Sequence, residues 1–286
     1  MHNYLRAVGF GMGFVKAVIR KIIKKAVEEY KRDNNRDTFG KIIEIFVQMN
    51  NSMGIAIHGE FINEEEFEVE YVYPYIKPKV YNYYSDIAIE KSISQYSFIG
   101  SCDSKTNGIS IIFYMQNDLD YVNHRFPSEI SAEVGFSALC LDGKIILPVK
   151  EYEQYKEKYN QDMADKSKLI ESARKGDEAA MENLTLDEMT LYNKISKRIQ
   201  TEDVYSIVES SFMPYGMECQ RYAIIGKIID MEMVQNRITR EKCYNLTVEC
   251  NHITINVGIN ESDLQGQPEI GRRFKGIVWL QGNIKF

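Results

Sequence analysis

The sequence predicts an α+β protein in three parts: an N-terminal α+β domain over 1–149, a charged helical connector over 150–216 and a C-terminal small β-barrel, OB-like, over 217–286. Three observations predict it. Near the start, apolar residues recur at three- and four-residue spacing, the stripe of an amphipathic helix. From residue 53 into the 140s, and again from 222 onward, apolar and polar residues alternate with period two, as strands require. Between these stretches the chain turns strongly charged and its signals become helical.

In order, Val15, Val18, Ile19, Ile22, Ile23, Ala26, Val27 and Tyr30 line one side of a helix over 15–30, with Lys16, Arg20, Lys24 and Lys31 on the other. A second helix is expected over 38–50, with Phe39, Ile42, Ile43, Phe46 and Val47 inside. Strands at 53–61 and 67–75 flank a polar link. Others are expected at 86–92, 96–102 and 109–115. The runs 134–141 and 144–149 flank Asp142-Gly143, which predicts a hairpin with a type I′ turn. In the connector, Gly176-Asp177 ends one helix and caps the next. Thr185-Leu186-Asp187-Glu188 has the form of a capping box, Thr201 can cap a last helix, and Met213-Pro214-Tyr215-Gly216 ends the helical region.

The final part holds a strand over 222–230 and two alternating strands at 244–250 and 253–259, joined tightly at Asn251-His252. A short helical or loop piece at 261–264, a Gly-Gln-Pro turn and a strand over 274–280 follow. Five strands with an insert between the third and fourth fit an OB-type barrel, with a bent sheet or SH3-like barrel as the main alternative.

Composition bounds the function. With 44% hydrophobic residues there is material for a sizeable core, while a net charge of −6 argues against a general nucleic-acid coat, which needs surplus Lys and Arg. No run is long and apolar enough to span a bilayer, and the apolar start precedes its basic residues instead of following them. Five widely spaced cysteines suit reduced thiols. The expected location is the cytoplasm, and no membrane contact is expected.

The opening Met1-His2-x-Tyr4-Leu5-Arg6-Ala7-x-Gly9-Phe10 resembles the start of an uncharacterised family of bacterial proteins known only as a domain of unknown function. The resemblance continues in Phe212-Met213-Pro214-Tyr215-Gly216 and in Gly271-Arg272-Arg273-Phe274-Lys275-Gly276-x-x-Trp279-Leu280-Gln281-Gly282, and so runs the length of the chain. It implies no activity, cofactor or catalytic residue.

A search for chemistry finds no nucleophile elbow, no catalytic cysteine signature and no phosphate-loop spacing at Gly9-Phe10-Gly11-Met12-Gly13. Among the histidines, His58 sits between strand residues, where a satisfied histidine is commoner than a base, and His124 falls at an exposed helix end. Cys243, Cys250 and His252 are close in sequence, but strand alternation points Cys243 away from Cys250. No catalytic residue, metal site or cofactor is therefore assigned. Residues 1–41 carry ten Lys plus Arg against four acids, and 42–76 carry seven Glu and no base, so opposed blocks are expected to neutralise one another.

Two binding surfaces remain. Tyr71, Tyr73, Tyr75, Tyr81, Tyr83 and Tyr84 crowd a proline-broken stretch and suit a protein interface. Arg237, Arg240, Arg272, Arg273, Lys275 and Trp279 give the barrel a basic edge with one aromatic. The leading expectation is a non-catalytic interaction or adaptor protein that binds a protein partner or itself. A single-stranded nucleic-acid-binding accessory protein is the first alternative, and an unrecognised enzyme the second.

Overall fold

A computed structural model describes residues 2–11, 15–33, 42–63, 66–92, 97–104, 108–124, 126–149, 168–199 and 204–286. The fold is mixed α+β and mostly strand. After a 3₁₀ turn at Asn3–Val8 comes helix α1 (Val15–Asp33), matching the apolar stripe. Its buried residues Ile19, Ile22 and Ala26 lie inward, and Lys16, Arg20, Lys21, Lys24 and Lys25 are exposed.

Beneath α1 lies an antiparallel three-stranded sheet of β1 (Ile42–Gln48), β2 (Met53–Phe61) and β3 (Phe67–Ile76). The helix expected over 38–50 is thus corrected: 42–48 is a strand, and 38–41 lie outside the described residues. Ile42, Ile43, Phe46 and Val47 satisfy helical spacing, yet the run is β-branched and pairs with β2 over its whole length. Alternation then gives the sheet two faces. Ile43, Ile45 and Ile57 pack with Ala26 beneath α1, which leaves Glu44 and His58 on the opposite face.

The second sheet has ten strands. Its axis is a long ladder between β7 (Glu129–Ile146) and β13 (Arg273–Lys285). Two circuits of pairing share this ladder. In one, β4 (Tyr81–Lys91), β5 (Phe98–Asp103) and β6 (Ser110–Met115) run antiparallel to one another from the first half of β7 round to β13, near whose end β6 joins in parallel. In the other, β9 (Arg221–Gln235), β10 (Lys242–Cys250) and β11 (Ile253–Asn260) run from the start of β13 round to the middle of β7, where β11 joins in parallel. β8 (Ser211–Pro214) flanks β9, and β12 (Leu264–Gln265) flanks β7. One apolar cluster, from Ile87 and Phe113 through Phe136 to Leu246, Val257 and Phe274, fills both circuits.

The hairpin expected at Asp142-Gly143 does not form, because β7 runs straight through it. Gly143 pairs with Leu264 and Gly276, and a Cβ there would come within 2.7 Å of Ile259 and Phe274. Its glycine serves close packing rather than a turn. At Asn251-His252 the tight turn is present, with φ of 48° and 62°.

Helix α2 (Asp118–His124) follows β6. In the connector, α3 (168–174) ends at Gly176 (φ 89°), and the Asp177 carboxylate accepts the amides of Ala179 and Ala180 at the start of α4 (Glu178–Ile199). Thr185 caps nothing. It lies inside α4 and donates its hydroxyl to the Met181 carbonyl, so the expected capping box is absent. Thr201 lies outside the described residues; α5 (Val204–Ile207) follows, and Met213-Pro214 belongs to strand β8 rather than to a helix end. No helix among the described residues is long and apolar enough to cross a membrane.

Candidate metal centre

The face of the three-stranded sheet turned away from α1 carries a row of chemistry. Glu44 of β1 stands opposite His58 of β2, and His58 opposite Tyr71 of β3. Tyr73 follows on the same face, opposite Ala56. Against this row lies the corner where β6 passes into α2, which delivers Tyr114, Gln116 and Asp118. Gln116 holds the corner in place. Its amide nitrogen shares two protons among three oxygens, those of the Ile76 carbonyl, Ser137 and Gln281, and so ties β3, β7 and β13 together.

Glu44, His58 and Asp118 bring one ligand atom each to within 4.8 Å of one another. Their side chains are almost wholly buried, Asp118 at 1% exposure. His58 Nε2 lies 2.5 Å from Glu44 Oε1 and 3.8 Å from Asp118 Oδ1. The Tyr73 hydroxyl lies 2.6 Å from the same Glu44 oxygen and 3.0 Å from the Gln116 carbonyl; its single proton serves chiefly the nearer, charged acceptor. Tyr114 donates to Tyr71 at 3.1 Å, and the Tyr71 ring covers His58 at 4.4 Å between centroids.

Asp118 is poorly served by comparison. Neither carboxylate oxygen meets a donor in hydrogen-bonding geometry, and His58 Nδ1 is likewise unpartnered. Burial pushes the Asp118 carboxyl up to about 7; His58 pulls it back, Glu44 pushes it further up, and the nearby amides of Leu119 and Asp118 lower it slightly. The phenols are also held neutral. Burial, then Asp118, raises Tyr71; burial, then Glu44, raises Tyr73; burial, then Tyr71, raises Tyr114. Two buried carboxyl groups therefore face each other across one imidazole in a phenol-lined site.

Of the tyrosines singled out in the sequence, Tyr71 and Tyr73 belong to this site. Tyr75 and Tyr84 are buried in the two main cores, Tyr81 is half-buried and bonded to Asn283, and Tyr83 is exposed at 62%. The basic edge separates as well. Arg237 and Arg240 are exposed on the β9–β10 turn and Arg272 is half-exposed, whereas Arg273 is buried and donates to the carbonyls of Leu147, Tyr205 and Val208. Lys275 sits over the Tyr205 ring, and Trp279, 6% exposed, is enclosed by His2, Tyr4 and Tyr114. The side chains of Asn245, Thr247 and Asn256, the polar positions of the alternation in β10 and β11, are buried. The chain itself covers them: the Lys79 amide donates to Asn256, and the Lys79 ammonium pairs with Asp230 and Glu232. Cys250 lies in the core of the circuits and Cys243 in the separate cluster under the 3₁₀ turn, so these two do not converge; all five cysteines are free. Of the glycines before α1, Gly11 donates its amide to Glu241, and 12–14 lie outside the described residues.

Sequence reasoning weighed His58 alone and passed over Glu44 and Asp118. The available signal was Glu44 as a lone acid within an apolar, β-branched run, which becomes visible only once 42–48 is read as a strand.

A family model described as a domain of unknown function from an E. rectale gene description, DUF3881, matches residues 5–282. No curated protein and no solved structure matches the chain.

Proposed function

We propose, for a chain that belongs to the DUF3881 family and takes no activity from that description, that it is a divalent metal-binding protein whose ion is held by Glu44, His58 and Asp118. One observation carries this reading: Asp118 is buried with neither oxygen in a full hydrogen bond, eased by His58 at 3.8 Å and by the amides of Leu119 and Asp118, beside a second buried carboxylate. An unpaired buried carboxylate costs several kcal/mol. A divalent cation balances Glu44 and Asp118 in charge and replaces two deficient contacts with bonds. The donor set of two carboxylates and one imidazole favours Zn²⁺, Mn²⁺ or Fe²⁺, since Cu⁺ seeks thiolates and Mg²⁺ seldom takes an imidazole. Donors about such an ion stand roughly 3 to 3.5 Å apart, so Asp118 must approach by about an ångström and Glu44 must release His58. His58 Nδ1 is unpartnered with or without the ion, so binding leaves that cost unchanged. Three protein ligands leave a position for water or substrate, as at catalytic zinc sites.

Calorimetry on metal-stripped protein tests this. One Zn²⁺ or Mn²⁺ per chain is expected, with Mg²⁺ much weaker. Asp118→Asn keeps shape and removes a charged ligand; it should weaken binding by about 100-fold or more, beyond the usual effect of outer-shell changes. Absence of binding to the folded parent, or equal binding by His58→Gln and Asp118→Asn, would leave a purely structural proton-sharing cluster instead.

For the fold itself, the circuit of β9, β10, β11, β13 and β7 fits an OB-like barrel. A three-stranded meander, the 3₁₀ turn at Glu261–Asp263 and two closing strands support that reading, with the fifth strand supplied from earlier in the chain.

A further inference from the structure

Independently of the metal centre, we infer that the exposed side of α1 and the adjoining β9–β10 turn form a docking face for the phosphate backbone of duplex nucleic acid. Over residues 16–25 the helix exposes Lys16, Arg20, Lys21, Lys24 and Lys25 and no acid; its acids, Glu28, Glu29 and Asp33, all lie at the other end. Lys25 pairs with Glu29, while Lys16, Arg20, Lys21 and Lys24 form no ion pair with any described residue. The turn is bonded to the segment that leads into the helix: Asn236 donates to the Val8 carbonyl, Thr239 donates to the Gly9 carbonyl, and Glu241 accepts the Gly11 amide, four residues before α1 begins. The turn adds exposed Arg237, Arg240 and Lys242. Of the acids flanking the turn in sequence, Asp230 and Glu232 take Lys79, while Glu241 accepts the Gly11 amide and Asn260, neutral donors that leave its charge in place.

Among the described residues, Lys16, Arg20, Lys21, Lys24, Lys25, Arg237, Arg240 and Lys242 are exposed here against the single carboxylate of Glu241, and such an excess of one sign selects a polyanion. A membrane surface would also need a row of apolar side chains to insert; α1 spends its own on the sheet below, and the turn presents Ile238 and the end of β9 Met233 as isolated side chains instead of a row. A single strand would need stacking platforms, and Trp279 is enclosed. A rigid row Lys16–Arg20–Lys24, rising about 6 Å per step, matches a regular phosphate lattice instead. The net charge of −6 does not forbid this, because at physiological salt a field fades over about 8 Å.

The test is fluorescence anisotropy of the full chain with a labelled 20-base-pair duplex, as DNA and as RNA, between 50 and 200 mM salt. Binding should weaken steeply with salt. Changing Lys16, Arg20 and Lys24 together to Gln should cut affinity at least tenfold at 50 mM and reduce the log–log salt slope by about 2 to 3. A Lys91→Gln, Lys144→Gln control, on exposed cations elsewhere, should bind like the parent. Binding to either duplex type supports the assignment and names its source. No binding at 50 mM, unchanged binding by the triple variant, or binding to phosphatidylglycerol vesicles without duplex binding would overturn it.

Discussion

At the scale of single residues, Asp118 is where the physical cost is concentrated. Its carboxyl takes up a proton more readily in the fold, near 7, than in the unfolded chain, near 3.8. The metal-free fold is therefore most stable, as far as this group goes, below the unfolded value, and loses that stability as pH rises toward 7. Asp118→Asn keeps a neutral group at every pH. In the presence of EDTA it should exceed the parent by a few kcal/mol at pH 8 and converge with it near pH 4, as measured by denaturant unfolding. A constant difference across that range would contradict the assignment. Protons and metal compete for the same oxygens, so the affinity for Zn²⁺ or Mn²⁺ should climb with pH until about 7 and then level off. A flat affinity profile would argue for an ion held without Asp118.

At the scale of elements, pairs of glycines set how closely strands approach. The Phe113 ring of β6 sits between Gly100 of β5 and Gly282 of β13; a Cβ at either glycine would come within 2.2 Å of it. Gly282→Ala should cost about 1 to 3 kcal/mol by overpacking. Combined with Phe113→Leu, which makes room, the two losses should add to less than their sum, and simple additivity in a double-mutant cycle would refute the contact. These contacts also explain what was legible in the sequence. Alternation located β2, β3, β5, β6, β10 and β11 to within a few residues, since burial of one face leaves a local imprint. Asp142-Gly143 and Thr185–Glu188 misled because their local signals were genuine but tertiary packing used the residues otherwise: a glycine for Phe274 and Ile259 to approach, a threonine inside α4. Glu44, His58 and Asp118 come from β1, β2 and the start of α2, and no spacing rule joins them. The strand register of Glu44 with His58 and the corner anchored by Gln116 do so, and both are long-range facts.

At the scale of the molecule, the β7–β13 ladder joins what the composition divides. β7 lies before the charged connector, yet its residues 136–140 stand between β11 and β13, both beyond it. A fragment spanning 217–286 would carry β9, β10, β11 and β13 but leave β11 and β13 each with an unpaired edge, along with the apolar residues that meet Phe136, Ala138 and Cys140 in the shared core. Exposed strand edges above an open core favour association over folding. The fragment is therefore expected to show no cooperative thermal transition and to aggregate, while co-expression with a 1–149 fragment should restore both solubility and cooperative unfolding. The same shared core predicts that the intact chain unfolds in one transition seen alike by Trp279 fluorescence, which reports the cluster under the 3₁₀ turn, and by far-ultraviolet circular dichroism. A fragment 217–286 that folds alone, or two separated transitions in the whole chain, would show that the circuits are stabilised independently and that the ladder between them is a contact rather than a common spine.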